Sequence, residues 1–567
     1  MQRQLSALTD GSFDLVVIGG GVFGACAAWD AVQRGLSVAL IERNDFCSAT
    51  SAHSFKMIHG GIRYLQHMDL CRVRQSSSAR RAMIRVAPHL ARPLPIAVPT
   101  YGWGMKSKWI MRIAMGMYDA TTFDRNRDIT DPQRQIPGGC CLSRMDVMDR
   151  FPGLDTDGLS GAALFSDGQM YNPPRLVLAF VRSAAEAGAV VANYVEASGF
   201  IREGDRICGV TARDTLGDQT LEIRAKMVLN AAGPYADHLL ARALGHGLKK
   251  PTYWSRDACF VVRRQVVGHG PALAVLTRTK DPDAMLSRGA RHLFLVPWRG
   301  HTLVGVWHKV YHDDPDKITV TQEELEAYID EINGAYVGLG LTLDEVTLWN
   351  AGLVAFGENE RDVGDLRFGH RSRLVDHTTE HGLEGLFSLI GVRYTTGPCE
   401  AAAAVTRIFR RLGYKKPPPS RSHDTPIFGG DIDHFEALVQ QVAAEAPGGL
   451  DDTSIRALAH NHGSAYDRVF ALAREKPAWA QRIGDSAVLG AEVVHAVREE
   501  MAKTLADVVL RRTDLGTAAY PGRAAIESCA RIMSGELRWS DAQTQQQIDR
   551  VIDSYPQAFR REPVVTG

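Results

Sequence analysis

Residues 14–42, DLVVIGGGVFGACAAWDAVQRGLSVALIE, leave little freedom in how this chain begins its fold. Residues 14–18 are a β-branched apolar run suited to a buried parallel strand. Residues 25–34 read as a helix and residues 37–41 as the next strand, which Glu42 closes. Between strand and helix, Gly19, Gly21 and Gly24 take the G-x-G-x-x-G positions. Gly19 permits the tight turn, Gly21 lets backbone approach a pyrophosphate, and Gly24 lets the helix pack closely on the strand. The helix N-terminus adds amide donors and a partial positive charge. Glu42 can accept hydrogen bonds from a ribose 2′-hydroxyl, which disfavours a 2′-phosphate. Strand, triplet, helix, strand and acid in this order predict a dinucleotide site in a Rossmann-like α/β domain.

A nicotinamide-dependent flavoprotein needs a second nucleotide motif, and no second G-x-G-x-x-G follows an apolar strand here. A single site in so long a chain favours a permanently held FAD. Residues 227–235, MVLNAAGPY, form a later apolar strand running into Ala-Ala-Gly, where backbone at Gly233 can lie close to the cofactor. The nucleotide domain is therefore expected to be assembled from non-contiguous pieces.

At 567 residues the chain exceeds a single hydrophobic core, so two or three domains are expected. Lysine plus arginine equals aspartate plus glutamate, 65 each, which argues against a nucleic-acid binder with a strongly basic surface. Nine dispersed cysteines without a CxxC pair suit a reducing, cytoplasmic compartment and argue against a structural zinc site. HExxH and calcium-loop patterns are absent as well, so no metal is expected. No signal peptide is visible, and no stretch approaches the roughly 20 apolar residues of a membrane span. Residues 103–118, WGMKSKWIMRIAMGMY, leave two readings open. One is a core-packed helix with Lys106, Lys108 and Arg112 snorkelling to water. The other is an interfacial helix on the inner face of the cytoplasmic membrane.

Residues 47–65, CSATSAHSFKMIHGGIRYL, bring hydroxyls, glycines and cations together in a manner suited to a loop against phosphate and isoalloxazine groups. With these residues the chain resembles the flavin-dependent glycerol-3-phosphate dehydrogenase family, within the glycine-oxidase-like flavoproteins. The resemblance begins in the nucleotide fingerprint and continues through SATSAHSFKMIHGGIRYLQH and APHLARPLPIAVP. It returns at DGQMYNPPRLVLAFVRSAAEAGAVVANY, LNAAGPYAD, LFLVPWRGHTLVG, FSLIGVRYTTGPCEAAA and EVVHAVREEMAKTLADVVLRRTDLG. It spans residues 12–555, and HGGIRYL, HAVREE and RRTDLG are more specific than the glycine triplet.

The resemblance implies FAD held at Gly19, Gly21, Gly24 and Glu42, with Ser51, Ser54, Gly60 and Gly61 near the flavin and further contact at Gly391 and Thr395. It implies Arg63 and Arg371 near a substrate phosphate. The implied reaction is hydride transfer from a secondary alcohol to flavin, with electrons passing to quinone or another acceptor. It also raises the expectation of a peripheral membrane contact, and leaves a homodimer open. Alcohol oxidation needs a base for the hydroxyl proton and cations for developing negative charge. His59, His308, Arg63, Arg371 and Arg393 are the polar candidates, and the choice of base stays open.

Three segments depart from the family pattern. A Gly-Thr-Thr-Asp stretch is replaced by Gly305, Val306, Trp307 and His308. A Gly-Val-Arg-Pro stretch has become Gly352, Leu353, Val354 and Ala355, so its phosphate-binding arginine is Val354. A late lysine has become Arg393, a planar fork in place of a point charge. A charge-assisted hydrogen bond is worth roughly 1.5–3 kcal/mol. Either Arg393 or His308 compensates, or the substrate is a different or larger alcohol, a phosphorylated polyol or a glycosylated phosphate.

The expected fold is α/β: a Rossmann-like FAD-binding domain from residues 12–80, 155–250 and 350–415, with an α+β substrate cap from 81–154 and 251–349. A C-terminal helical domain, 427–560, follows the proline-rich boundary 416–426, with helices expected over 491–511 and 541–555. Residues 365–376, DLRFGHRSRLVD, read equally as an anion-binding loop or a solvated turn. Two other classes share the nucleotide architecture: an amine or amino-acid oxidase, and a non-catalytic flavin-binding protein. The phosphate-facing arginines weigh against the first, and the altered segments 305–308 and 352–355 motivate the second.

Overall fold

The computed structural model describes residues 1–102, 108–249, 251–268, 270–277, 291–356 and 372–562, apart from the side chains of residues 63, 66, 67, 108 and 109. Two compact units share the chain. The first comprises Met1–Ala52, Asn172–Thr252 and Gly369–Gly567; the second comprises His53–Tyr171 and Tyr253–Phe368. Residues 53–80, 155–171 and 350–368, expected in the nucleotide domain, thus fall in the second unit.

In the first unit an eight-stranded sheet runs Arg373–Asp376, Leu386–Ile390, Thr220–Asn230, Ser12–Ile18, Val38–Ile41, Val190–Ala192, with the hairpin Val195–Glu203/Arg206–Asp214 branching from Thr220–Asn230. The strands from Leu386–Ile390 to Val190–Ala192 are parallel. That arrangement explains why Val38–Ile41 is apolar throughout: all four residues are buried. The helix after the glycine turn is Val22–Gln33, starting three residues before the expected 25–34 because Gly21 is its N-cap and Gly24 already lies inside it. The boundary segment 416–426 is docked: Ser422 Oγ donates to Asp30 at 2.8 Å, and Asp30 is also paired with Arg34.

The C-terminal part is helical, with a core of Phe435, Leu438, Val442, Leu458, Phe470 and Leu489 among others. The helix expected over 491–511 is interrupted. Gly490–Glu499 ends, Met501 takes a left-handed φ of +57°, and Thr504 caps a new turn at Leu505–Asp507 that continues through Val508–Arg512. The break follows from Glu500, whose carboxylate is held by Arg175 and Arg182 of the helix Pro173–Glu186. Apolar periodicity reports a buried stripe but not a turn imposed by such an ion pair.

In the second unit a nine-stranded sheet runs Val346–Ala355, Trp254–Val262, His301–Tyr311, His292–Trp298, Ala272–Leu276, Ala91–Tyr101, Leu159–Met170, Met57–Ile58, with Cys140–Leu142 also on Leu159–Met170. All its pairs are antiparallel except Ala272–Leu276 with Ala91–Tyr101. The helix Gln322–Ala335 covers one face. There Trp307 stacks on Phe260 and Tyr328, with ring centroids 5.5 and 4.3 Å away, and its indole donates to Glu331. Helix Lys108–Thr121 buries Met115 and Tyr118 and exposes Arg112, Ile113 and Met117; residues 103–107 of the proposed amphipathic stretch lie outside the described residues. Among the described residues no helix is long and apolar enough to cross a membrane. All nine cysteines are free thiols.

Candidate active site

Gly19 leaves the strand Ser12–Ile18 with φ of +106°, and a Cβ there would stand 2.6 Å from the Ala231 carbonyl oxygen. At Gly24 a Cβ would stand 1.9 Å from the Gly19 oxygen, so only glycine lets helix and strand approach this closely. Gly21 carries no capping side chain; the Val22 N–H donates to Ser51 Oγ at 3.0 Å. This leaves a cradle of main-chain amides at a helix N-terminus, the arrangement that receives a pyrophosphate. Glu42 accepts from Gly20 N–H at 2.7 Å and from Asn44 N–H at 3.0 Å. Burial pushes its carboxyl up against the pull of those amides. Each carboxylate oxygen retains a second lone pair for a ribose hydroxyl.

Two further strand ends reach this turn. Gly233, with φ of +55°, opens the short turn Gly233–Tyr235 after Thr220–Asn230. Gly391 follows Leu386–Ile390, and a Cβ there would lie 1.9 Å from the Phe23 ring. Arg393 precedes the turn Tyr394–Thr396, in which Thr395 is buried. The first unit therefore gathers Gly19, Gly21, Gly24, Glu42, Ser51, Gly233, Gly391 and Thr395 from segments beyond the carboxyl ends of parallel strands and the helices that follow, where open α/β sheets bind their ligands. A cradle without side chains, an acid at the second strand's end and hydroxyls beside the turn fit an FAD.

In the second unit, Ser54, His59, Gly60 and Gly61 flank the short strand Met57–Ile58. Ser54 accepts from the Lys56 ammonium through its carbonyl. Gly61 has φ of +84° and caps the turn Ile62–His67. The absence of a Cβ at Gly60 has a packing cause: it would stand 2.1 Å from Arg80 Nη1 and 2.4 Å from the Tyr118 hydroxyl. His59, whose side chain is 60% exposed, places Nδ1 3.4 Å from Asp167 Oδ2. The side chain of Arg63 and the whole of Arg371, with residues 365–371, lie outside the described residues.

His308 is in the strand His301–Tyr311, opposite Asp257 of the strand Trp254–Val262, with Nδ1 2.8 Å from Asp257 Oδ1. Side chains alternate along a strand, so His308 and Asp257 share the face opposite Trp307. Register places Ser255, Asn350 and Val354 on the same face, and His53 Nδ1 lies 3.4 Å from Asn350 Oδ1.

Sequence reasoning did not single out Asp167, Arg80 or Asp257. The available signal was a single acid inside a largely apolar strand: LSGAALFSDGQM for Asp167 and WSRDACFVV for Asp257. Elsewhere, among the described residues, His462, His495 and Glu500 form a buried trio of metal-ligating atoms within 4.8 Å of one another. Both Glu500 oxygens already accept from Arg175, and one also accepts from Arg182.

Residues 14–392 match the family model described as FAD dependent oxidoreductase, and residues 420–544 match the C-terminal domain of alpha-glycerophosphate oxidase. Glycerol-3-phosphate dehydrogenase of Synechocystis sp. is 29% identical over 98% of this chain and 97% of its own. The Mycobacterium leprae glycerol-3-phosphate dehydrogenase is 30% identical over 96% of this chain and 87% of its own. The solved glycerol-3-phosphate dehydrogenase of Bacillus halodurans, complexed with FAD, superposes with a TM-score of 0.73 at 24% identity, over 97% of this chain and 95% of that one. That likeness shows the α/β fold with its helical C-terminal region. A glycine cradle for the cofactor and matches along nearly the whole length give one result: the chain belongs to the FAD dependent oxidoreductase family, in its glycerol-3-phosphate dehydrogenase branch, and FAD is its cofactor.

Proposed function

We propose that this protein oxidises the secondary alcohol of glycerol 3-phosphate or a related polyol phosphate, with electrons then leaving to a quinone or another acceptor. The observation that carries the reading is His59, a histidine of the HGGIRYL segment with a buried carboxylate as its partner. Bound FAD supplies the two-electron acceptor for the hydride. The chain supplies the proton acceptor, the charges that hold the phosphate, and the orientation of the C–H bond. His59 takes the hydroxyl proton in this reading, while Arg63, Arg371 and Arg393 serve the anionic end.

His308 and Val354 shape the other end of the substrate. The Asp257 carboxylate beside His308 disfavours a phosphate there, and Val354 offers no cation. Asp257, His308 and Asn350 together offer donors and acceptors suited to hydroxyls, so a polyol phosphate longer than glycerol 3-phosphate is the preferred substrate. A peripheral membrane contact through Ile113 and Met117, both exposed on Lys108–Thr121, and through the exposed Phe123 belongs to the same reading.

The test is anaerobic flavin bleaching by a panel of glycerol 3-phosphate, longer polyol phosphates, free polyols and amino acids. Bleaching by phosphorylated alcohols is expected, fastest with a longer one. Bleaching by amino acids alone would overturn the activity. Glycerol 3-phosphate equalling the best member of the panel would overturn the longer substrate.

A further inference from the structure

The carboxylate beside His59 is built into the second unit with unusual care. Asp167 ends the apolar part of the strand Leu159–Met170 and is 3% exposed. Its Oδ1 accepts from Gly60 N–H at 2.6 Å and from Arg80 Nη1 at 3.0 Å, while Oδ2 faces His59 Nδ1. Arg80 is fully buried in the helix Leu70–Val86; its Nη1 also donates to the Ser166 carbonyl, and its Nε and Nη2 find no partner among the described residues. Tyr118 closes the group from the helix Lys108–Thr121 by donating to the Gly60 carbonyl at 3.2 Å. The buried guanidinium fixes Asp167, and the same packing forbids a side chain at Gly60.

Resting on the reading of His59 as the base, we propose that Asp167 is its positioning residue, held by Arg80 and the Gly60 N–H, and that it fixes the Nδ1–H tautomer of His59. A carboxylate facing Nδ1 stabilises a proton there, which leaves the lone pair on Nε2. The substrate hydroxyl then gives its proton to Nε2 as the C–H bond breaks and the carbon–oxygen double bond forms, the hydride being taken by the two-electron acceptor that bound FAD would supply. The resulting imidazolium carries one proton on each nitrogen, and the Asp167 charge stabilises it. Burial pushes the Asp167 carboxyl up, but the His59 contact, the Arg80 charge and the Gly60 amide together outweigh it and hold the group below the usual carboxylate range. Asp167 is thus an anion at neutral pH. The 3.4 Å separation is long for a hydrogen bond, and such contacts tighten in the substrate complex.

The test combines histidine nitrogen NMR with kinetics on the FAD-loaded enzyme, the His59 signal being assigned by its loss in His59→Gln. The wild type is expected to show His59 with Nδ1 protonated and Nε2 bare. Asp167→Asn is expected to lose that preference and to move the acidic limb of the kcat profile down in pH. It should lower kcat about tenfold or more with KM and flavin content little changed. In a His59→Gln background the same substitution is expected to have no further effect on kcat. An Nε2-protonated tautomer in the wild type would overturn the proposal, and this readout needs no variant to fold. An unmoved acidic limb, or an equal loss in the His59→Gln background, would overturn it as well. A wild type whose flavin no phosphorylated alcohol bleaches defeats the functional reading instead, and the tautomer measurement still decides whether Asp167 orients His59.

Discussion

Arg512 and Asp45 stand 467 positions apart in the chain and meet in two hydrogen bonds, Nη1 to Oδ2 at 2.7 Å and Nη2 to Oδ1 at 2.6 Å. Arg511 adds a third to Oδ2 at 2.6 Å, and Asn193 donates to Oδ1. Asp45 opens the loop that follows Glu42; its neighbour Phe46 packs on Gly20, and the Cys47 N–H donates to the Gly20 carbonyl. The C-terminal helical region therefore fastens the loop that backs the glycine turn.

Breaking this pair is expected to release the cofactor as well as lower stability. Removing one partner of a buried ion pair costs about 3–5 kcal/mol. Arg512→Ala should therefore lower the melting temperature and raise the FAD dissociation constant together. Absorbance at the flavin band after gel filtration reads the cofactor, and a thermal melt with and without added FAD reads the rest. A variant that melts early but keeps its flavin would separate the C-terminal region from the nucleotide site.

At Gly391 a methyl group is expected to act through Phe23. The alanine Cβ would overlap that ring at 1.9 Å, and the ring belongs to the first turn of the helix that follows the glycine turn. Overpacking of this kind costs roughly 1–3 kcal/mol, and here the strain falls on the cofactor site. Gly391→Ala should weaken FAD binding, whereas Gly11→Ala, with nothing within 4 Å of its Cβ, should leave it unchanged. Fluorescence titration of the apoprotein with FAD distinguishes the two.

What could be read in the sequence divides along the range of the interactions. Gly19, Gly21, Gly24 and Glu42 fall within 24 residues, and their spacing encodes one strand–turn–helix–strand unit whose geometry is local. The partners of Asp45, His59 and His308 depend on strand register and helix docking instead. Asp167 meets His59 only because Leu159–Met170 pairs with Met57–Ile58. Asp257 meets His308 because Trp254–Val262 lies beside His301–Tyr311. The break at Met501 was illegible for a related reason: the apolar stripe runs on, and the turn is imposed by Arg175 and Arg182 capturing Glu500.

That capture makes a pH prediction. Burial pushes the Glu500 carboxyl up, but the charges of Arg175 and Arg182, with His495 and His462 adding to them, hold it well below the ordinary glutamate value. A depressed folded-state pKa contributes stability that is present above the unfolded value, about 4.3, and is lost as pH falls toward the folded one. Asp45, depressed by Arg512 and Arg511 against its own burial, acts in the same direction. Urea unfolding should show stability falling steeply below about pH 4.5. Glu500→Gln should be less stable than the wild type by about 3 kcal/mol or more at pH 7, with a shallower acid dependence. Parallel curves for the two proteins would remove Glu500 from the acid transition.

The last prediction concerns Val354. It shares a sheet face with Asp257 and His308, being paired with Ser255 two residues from Asp257, and Ser255 Oγ donates to Asp257 at 2.7 Å. An arginine at this position restores a guanidinium to a face that otherwise carries one carboxylate and one histidine. In this reading the face takes the hydroxyl end of the substrate and not its phosphate, so Val354→Arg should leave kcat/KM for glycerol 3-phosphate little changed. For a longer polyol phosphate kcat/KM should fall about tenfold, because the new side chain occupies the surface its hydroxyls would use. His308→Ala, which leaves Asp257 without its imidazole, should lower kcat/KM for the longer substrate more than for glycerol 3-phosphate. Steady-state rates with an artificial electron acceptor measure all four quantities. Equal effects of each substitution on both substrates would show that this face does not contact the part of the substrate in which they differ.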